Sequence, residues 1–386
     1  MEVELPEHVL LLILVWLPVK SLLRFKVVCK YWYSLIQSSS FINQHLRHQH
    51  DNVNCSLIVR KPNDNIIGSR FFMLTGYKFD ESSVCLDFAN KELRSYSIHV
   101  QELIDKLQVA NACNGIICLY KVHEDVALWN PATRHLRPLP PPKFPVSRPP
   151  QSEIMCYPFL GFDPKTNDYK VVKIIFSAHR NTPDLETQVE VYNLSTDAWR
   201  ITHTDYILPF FPYNDSLYYK GISFFYGDNQ YPQESKWSWL WVLISFDFGT
   251  ETFRFIPMPN VSGVSTLSLD FLDDSLICFN HSASPVKPSN SNFDIWVLHG
   301  YGIKESWTKL YSIGPFDFVI PKKFMKQREF LLLCKNLKLC LYNLVTQEMH
   351  ELYKVSTVHR SFATYNESLV SIKGENDGAN RAISLV

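Results

Sequence analysis

Apolar positions along the chain fall into two regimes. Over the first 45 residues they recur at helical spacing, and from about Cys55 onward they alternate or cluster in short runs broken by turn residues. The first helical pattern carries Val9, Leu10, Ile13, Leu14 and Leu17, with Pro6 near its first turn and Pro18 at its end. The second opens on Ser21 as a cap and carries Leu22, Leu23, Phe25, Val27 and Val28; the third holds Trp32, Leu35 and Ile36 before the breaker run SSSF. Leu11, Leu12, Val15 and Trp16 leave the first helix apolar nearly all round. A module this small has too little interior to bury every face, so a partner surface is implied.

The second regime predicts strands, with one helical candidate at residues 99–108, HVQELIDKLQ. Five segments there share one form: aromatic, Asn or Asp, two residues, then Thr. They are WNPATRHL from Trp129, FDPKTNDY from Phe162, YNLSTDAW from Tyr192, FDFGTETF from Phe246 and YNLVTQEM from Tyr342, with a longer-looped relative from Asp294 to Leu310. Each reads as a hairpin whose Asn or Asp folds back on its own backbone to start the turn. Thr196, Thr250 and Thr346, with the Asp294 hairpin between the last two, fall at intervals of about 50 residues, the period of a four-stranded propeller blade. Residues 109–140, 157–202, 217–258, 265–313 and 328–353 then make five blades, the Phe162 hairpin being an extra turn inside the second. Stretches 56–60, 70–75 and 94–98 with 361–373 predict a sixth that closes the ring from both chain ends and removes its open edges. A β-sandwich or stacked sheets would satisfy the same pattern.

Composition narrows the partners. Hydrophobic residues make up 46%, enough for a folded core, and 38 basic residues cancel 38 acidic ones, so there is no global field to gather nucleic acid or anionic lipid. The apolar run Val9–Leu17 is about half the roughly 20 residues a membrane-spanning helix needs, and the acidic MEVELPEH before it is unlike a secretory signal. We therefore expect a cytoplasmic or nuclear protein, with nine cysteines reduced and Cys113, Cys118, Cys334 and Cys340 in core strands.

Motifs that would carry chemistry fail on spacing. HGYGIKE has Glu305 where a third glycine of a phosphate loop would stand, and His123-Glu124 and His350-Glu351 lack a second His four residues on. His45, His48 and His50 with Cys55 match no zinc spacing, and HLRHQH reads as a solvated connector. LPPPKFPVSRPP reads as a linker. Neither a cofactor nor a metal is expected. Recognition is expected instead in the aromatic stretch from Tyr206 to Trp241, whose turn residues Tyr213, Tyr226, Tyr231 and Trp237 offer rigid contact area. The competing reading makes Tyr218, Tyr219, Phe224, Phe225, Trp239 and Trp241 simply core.

Leu5 to Phe41, with LPVKSL, RF, VCK, Trp and LI in order, closely resembles the plant F-box. NGIICL, WNPATR, GFDPKTNDYKVV, VEVYNLSTDAWR, SFDFGTETFR, DDSLICF and YNESLVSI resemble the associated domain of S-locus F-box and S-locus F-box-like proteins. The kelch Gly-Gly pair is missing, and Trp16 stands where the family usually has a polar or basic residue. The resemblance implies a three-helix F-box at 1–48 and a kelch-like, six-bladed propeller at 49–386. It also implies a non-catalytic receptor in an SCF-type ubiquitin ligase. The F-box would dock a Skp-type adaptor, and through it cullin and RING subunits, by Leu5, Pro6, Leu17, Pro18, Val19, Leu22, Phe25, Val28 and Trp32. The β domain would bind a protein target, an S-RNase of pollen self-incompatibility, with no role for nucleic acid or membrane. An unrelated plant target or a glycan-reading propeller are the alternatives. For a basic target, Asp184, Glu186, Glu190, Asp205, Asp215, Asp228 and Glu234 are expected to form an acidic aromatic patch in which Lys220 and Lys236 are the basic residues from Asp205 to Trp241.

Overall fold

A computed structural model of the chain describes residues 6–51, 56–62, 69–75, 78–87, 108–121, 125–141, 152–179, 185–202, 211–212, 216–228, 241–259, 265–283, 291–301, 306–316, 319–325, 328–334, 338–354, 362–373 and 383–384. It divides into two compact units, one of Met1–Gly76, Asp80–Thr202 and Ala363–Val386, the other of Tyr77–Phe79 and His203–Phe362. The stretches 94–98 and 99–107, expected as strand and helix, lie outside the described residues.

Four helices, one more than expected, open the first unit: α1 (Glu7–Val15), α2 (Val19–Phe25), α3 (Lys30–Gln37) and α4 (Ser39–Asp51). Pro6 and Pro18 occupy the N-cap positions of α1 and α2, where a missing N–H costs nothing. The serine run does not break the chain into a loop. Ser38 Oγ accepts from the Phe41 amide at 3.2 Å and so starts α4. HLRHQH is accordingly helical, and His45 is sealed against solvent, its Nε2 donating to the Leu17 carbonyl at 3.0 Å. Burial pushes its imidazole below the usual histidine range, so the connector reading is corrected. Leu14, Val15, Val19, Leu22, Ile36 and Phe41 form the helical core, edged by Phe25 and Trp32 with ring centroids 5.1 Å apart.

The rest is antiparallel sheet. In the first unit β1 (Ser56–Pro62), β2 (Ser69–Thr75) and β3 (Lys78–Asp87) run in the order β25-β1-β2-β3, where β25 is Phe362–Tyr365. A second sheet holds β4 (Gln108–Cys113), β5 (Ile116–Tyr120), β6 (Val126–Asn130), β7 (His135–Pro138) and the terminal β26 (Ile383–Ser384); a third holds β8 (Ser152–Asp163), β9 (Asp168–His179), β10 (Leu185–Asn193) and β11 (Ala198–Thr202). The second unit contributes β12 (Phe211–Pro212), β13 (Leu217–Tyr219), β14 (Ile222–Asp228), β15 (Trp241–Asp247) and β16 (Thr252–Pro257) as one sheet. Its next two are β17 (Ser265–Leu272), β18 (Ser275–Ala283), β19 (Ser291–His299) and β20 (Ser306–Phe316), then β21 (Val319–Met325), β22 (Glu329–Cys334), β23 (Lys338–Asn343) and β24 (Met349–Lys354). Five blade-like sheets thus carry described side-chain packing, not six; in the sheet of β1–β3 and β25 the first three strands are described by backbone alone. β25 stops at Tyr365, so the expected strand over 361–373 is shorter than read.

The repeated turns explain why these strands pair as they do. Asn130, Asp163, Asp247 and Asn343 each turn a side-chain oxygen back onto the amides two and three residues on. The fourth residue on then takes the left-handed conformation: Arg134, Asn167, Asp197, Glu251 and Gln347 have φ of 57°, 54°, 51°, 56° and 58°. Asn193 departs from the pattern, donating to Asp168 at the start of the neighbouring strand β9 at 3.0 Å. Side chains tie neighbouring sheets within a unit. On inner strands, Asn111 exchanges both its amide groups with the Leu160 backbone at 2.8 Å, and Asp270 accepts from Lys323 at 2.5 Å. On outer strands, Trp199 donates to the Pro140 carbonyl at 2.6 Å and Trp307 to that of Pro257 at 2.9 Å.

Asp163 makes one of these turns sensitive to acid. Burial opposes its charge, but Lys170 and Thr166, each at 2.7 Å, and the Lys165 amide outweigh this and hold the carboxyl at about 2. Because the folded-state value lies below the roughly 3.9 of an unfolded aspartate, its stabilisation is complete above that value and is lost as pH falls toward 2. Asp163→Asn is expected to be about 1–2 kcal/mol less stable than wild type at pH 7. That deficit should shrink between pH ~4 and ~2 in urea titrations; a pH-independent deficit would refute the assignment.

Candidate functional site

The helical module presents more apolar surface than its core consumes. α1 turns Leu14 and Val15 inward and leaves Leu12 56%, Ile13 48% and Trp16 67% exposed. The α2–α3 turn exposes Val27 and Val28, and α3 half-exposes Tyr31 and Tyr33. Tyr31 donates to Glu7 at 2.9 Å, fixing the start of α3 beside that of α1, while the Trp16 ring packs edge-on against His48 with centroids 4.0 Å apart.

The expected adaptor-binding residues separate accordingly. Pro6, Pro18 and Val28 are exposed; Leu17, Phe25 and Trp32 are half-buried along the core edge. Val19 and Leu22 are fully buried, so they hold the helices together and do not touch a partner directly, which corrects their expected role. Leu5 lies outside the described residues. In the sequence Leu12 and Trp16 stand out only as surplus apolar residues; the helical wheel contains that signal, and the borrowed motif points elsewhere.

The segment 366–373 ties this module to the sheets of its own unit. Glu367 Oε2 accepts from the Val19 amide at 3.2 Å, at the start of α2, and Leu369 inserts into the helical core. From the sheet side, Asn130 donates to the carbonyls of Ser368 at 3.1 Å and Val370 at 2.8 Å, and Arg137 donates to that of Ile372 at 2.9 Å. Arg137 is itself fully buried and paired with Asp197 at 2.9 Å. Side chains thus satisfy alternate carbonyls that a neighbouring strand would otherwise take. The helices are thereby fixed relative to the second and third sheets.

Among the described residues, the expected target-binding set loses Tyr226 to the interior. Tyr226 is 7% exposed, in the core with Phe224 and Leu243 and 5.8 Å from Trp241, because β14 is a central strand of its sheet. Phe225 is likewise buried. The Asp228 backbone pairs with Phe211 and Trp241. Tyr213, Asp215, Tyr231, Glu234 and Trp237, with Asp184, Asp205, Lys236 and Trp239, lie outside the described residues. Glu190 is fully buried and paired with Lys173 at 3.2 Å, so it belongs to no exposed acidic surface. Lys220 is paired with Asp274 at 3.1 Å, and Asp274 also accepts from Tyr219. Among the described residues no three His, Cys, Asp or Glu side chains form a metal-holding group, and no helix is long and apolar enough to cross a membrane.

A helical module with surplus exposed apolar surface is thus joined, within the first unit, to antiparallel sheets. The F-box domain family matches residues 3–44, and the F-box associated beta propeller domain family matches residues 70–372. The chain belongs to this family of F-box proteins with an associated β-propeller domain. It is 28% identical to F-box/kelch-repeat protein At3g23880 of Arabidopsis thaliana, covering 82% of both chains. It is 25% identical to F-box protein CPR1 of the same plant, covering 87% of this chain and 81% of the relative. It is also 24% identical to putative F-box protein At1g12855 of that plant, over 95% of this chain and 85% of the other.

Proposed function

We propose that this chain is the target-recognition subunit of an SCF-type ubiquitin ligase: the F-box docks a Skp-type adaptor, and the β-propeller domain holds a protein target. Cullin and RING subunits join through the adaptor, and ubiquitin transfer belongs to them, so the chain itself is a non-catalytic receptor acting in cytoplasm or nucleus. The observation that carries this reading is the exposed set Leu12, Ile13, Trp16, Val27 and Val28 on a module too small to bury them. The S-RNase target and S-locus membership rest on the sequence phrases alone, since the expected acidic aromatic patch has lost Tyr226 and Glu190 to the interior.

The test is copurification of the full chain with the adaptor. Leu12→Asp with Trp16→Asp is expected to weaken binding by about 30-fold or more, the loss typical of truncating interface anchors, while the thermal melt stays at the wild-type temperature. Wild-type affinity in that variant would reject this surface as the docking site. Capture of targets by the intact complex from pollen tubes, followed by mass spectrometry, separates an S-RNase from any other protein.

A further inference from the structure

Three sulfur atoms meet on the last sheet of the second unit. Cys334 on β22, Cys340 on β23 and Met349 on β24 come from three successive strands. Cys334 Sγ lies 3.7 Å from Met349 Sδ, and its thiol is hydrogen-bonded to that of Cys340. Cys340 also points toward the Lys338 carbonyl at 4.0 Å. Cys340 is buried, Cys334 half-buried and Met349 39% exposed on the outermost strand, which gives the group a solvent opening on one side.

We propose that Cys334, Cys340 and Met349 form a binding site for a soft monovalent metal ion of the Cu(I) type. Two thiolates and a thioether favour Cu(I) over hard divalent cations, which prefer carboxylate and water oxygen. Three ligands drawn from adjacent hydrogen-bonded strands are held in place before the ion arrives, so little ordering opposes binding. Sulfur is also what the site offers in place of the convergent His, Cys, Asp and Glu groups that are lacking among the described residues.

Binding replaces two S–H bonds by two Cu–S bonds and releases two protons, with no change of oxidation state. Burial, then the Cys340 hydrogen bond, pushes the Cys334 thiol up to about 12. Because binding displaces protons from the thiols, apparent affinity should rise with pH. Glu351 pushes the Cys334 thiol further up, and Lys338, paired with Glu351 at 2.5 Å, opposes this in smaller measure.

The experiment titrates the full chain, anaerobically with ascorbate, against Cu(I) held by a chromogenic chelator. Wild type is expected to withdraw one equivalent, with the stated dependence on pH. Cys334→Ser should lose that equivalent. Met349→Leu, a volume-conserving change, should weaken it roughly tenfold while leaving the melt unchanged, and Cys29→Ser, at the exposed cap of α3, should leave it intact. Retention of wild-type affinity in both Cys334→Ser and Met349→Leu, or its loss in Cys29→Ser alone, would overturn the assignment.

Discussion

Gly115→Ala is expected to remove on the order of 4 kcal/mol of folding stability and to loosen the strap that positions the F-box. Asn114 and Gly115 form the two-residue turn between β4 and β5, with φ of 49° and 75°. An alanine in that left-handed conformation costs about 1–2 kcal/mol by itself. Steric overlap costs more, because a Cβ at Gly115 would fall 2.2 Å from Ser368 Cβ and 2.6 Å from the Asn366 carbonyl. Neither neighbour is the far end of a flexible side chain. Any movement that relieves the clash pulls on Glu367, which holds Val19, and on the Ser368 and Val370 carbonyls held by Asn130. Overpacking of this kind typically adds 1–3 kcal/mol. Denaturant titration reads the loss, and limited proteolysis at the F-box reads the loosening. A change below about 1 kcal/mol would show that the strap is free to move aside.

Local chemistry was legible in the sequence, and distant closure was not. The hairpins at Asn130, Asp163, Asp247 and Asn343 could be read because an Asn or Asp side chain reaches its own backbone two residues on, whatever the rest of the chain does. α4 was missed for the opposite reason. Three serines and a histidine-rich run look polar, and only the Leu17 carbonyl, contributed by another helix end, makes His45 an interior residue. The segment 366–373 alternates like a strand, yet its carbonyls are taken by Asn130 and Arg137, which no local pattern can announce. Val19 and Leu22 show the limit of a borrowed motif, which carries position along the chain but not exposure. Glu190 looked solvated because its neutralising partner stands on the adjacent strand.

That pairing sets the last expected result: Lys173→Met alone should destabilise the protein by about 3–5 kcal/mol, because it strands a carboxylate in the interior. Glu190 and Lys173 stand directly opposite each other on β10 and β9, with side chains 0% and 2% exposed and 3.2 Å apart. Gln188 donates to the other Glu190 oxygen at 2.7 Å, and Lys173 lies 4.6 Å above the Trp199 ring whose indole N–H reaches Pro140. Adding Glu190→Gln to Lys173→Met removes the charge and keeps an oxygen for Gln188. The double variant should therefore recover about 2 kcal/mol or more of the loss. Urea midpoints for wild type, both single variants and the double variant give the coupling directly. An acidic surface at Glu190 would behave otherwise: the single changes would then alter target association while leaving stability within about 0.5 kcal/mol. Near-wild-type midpoints throughout the cycle would return Glu190 to the surface and reject the buried pair as a support of the third sheet.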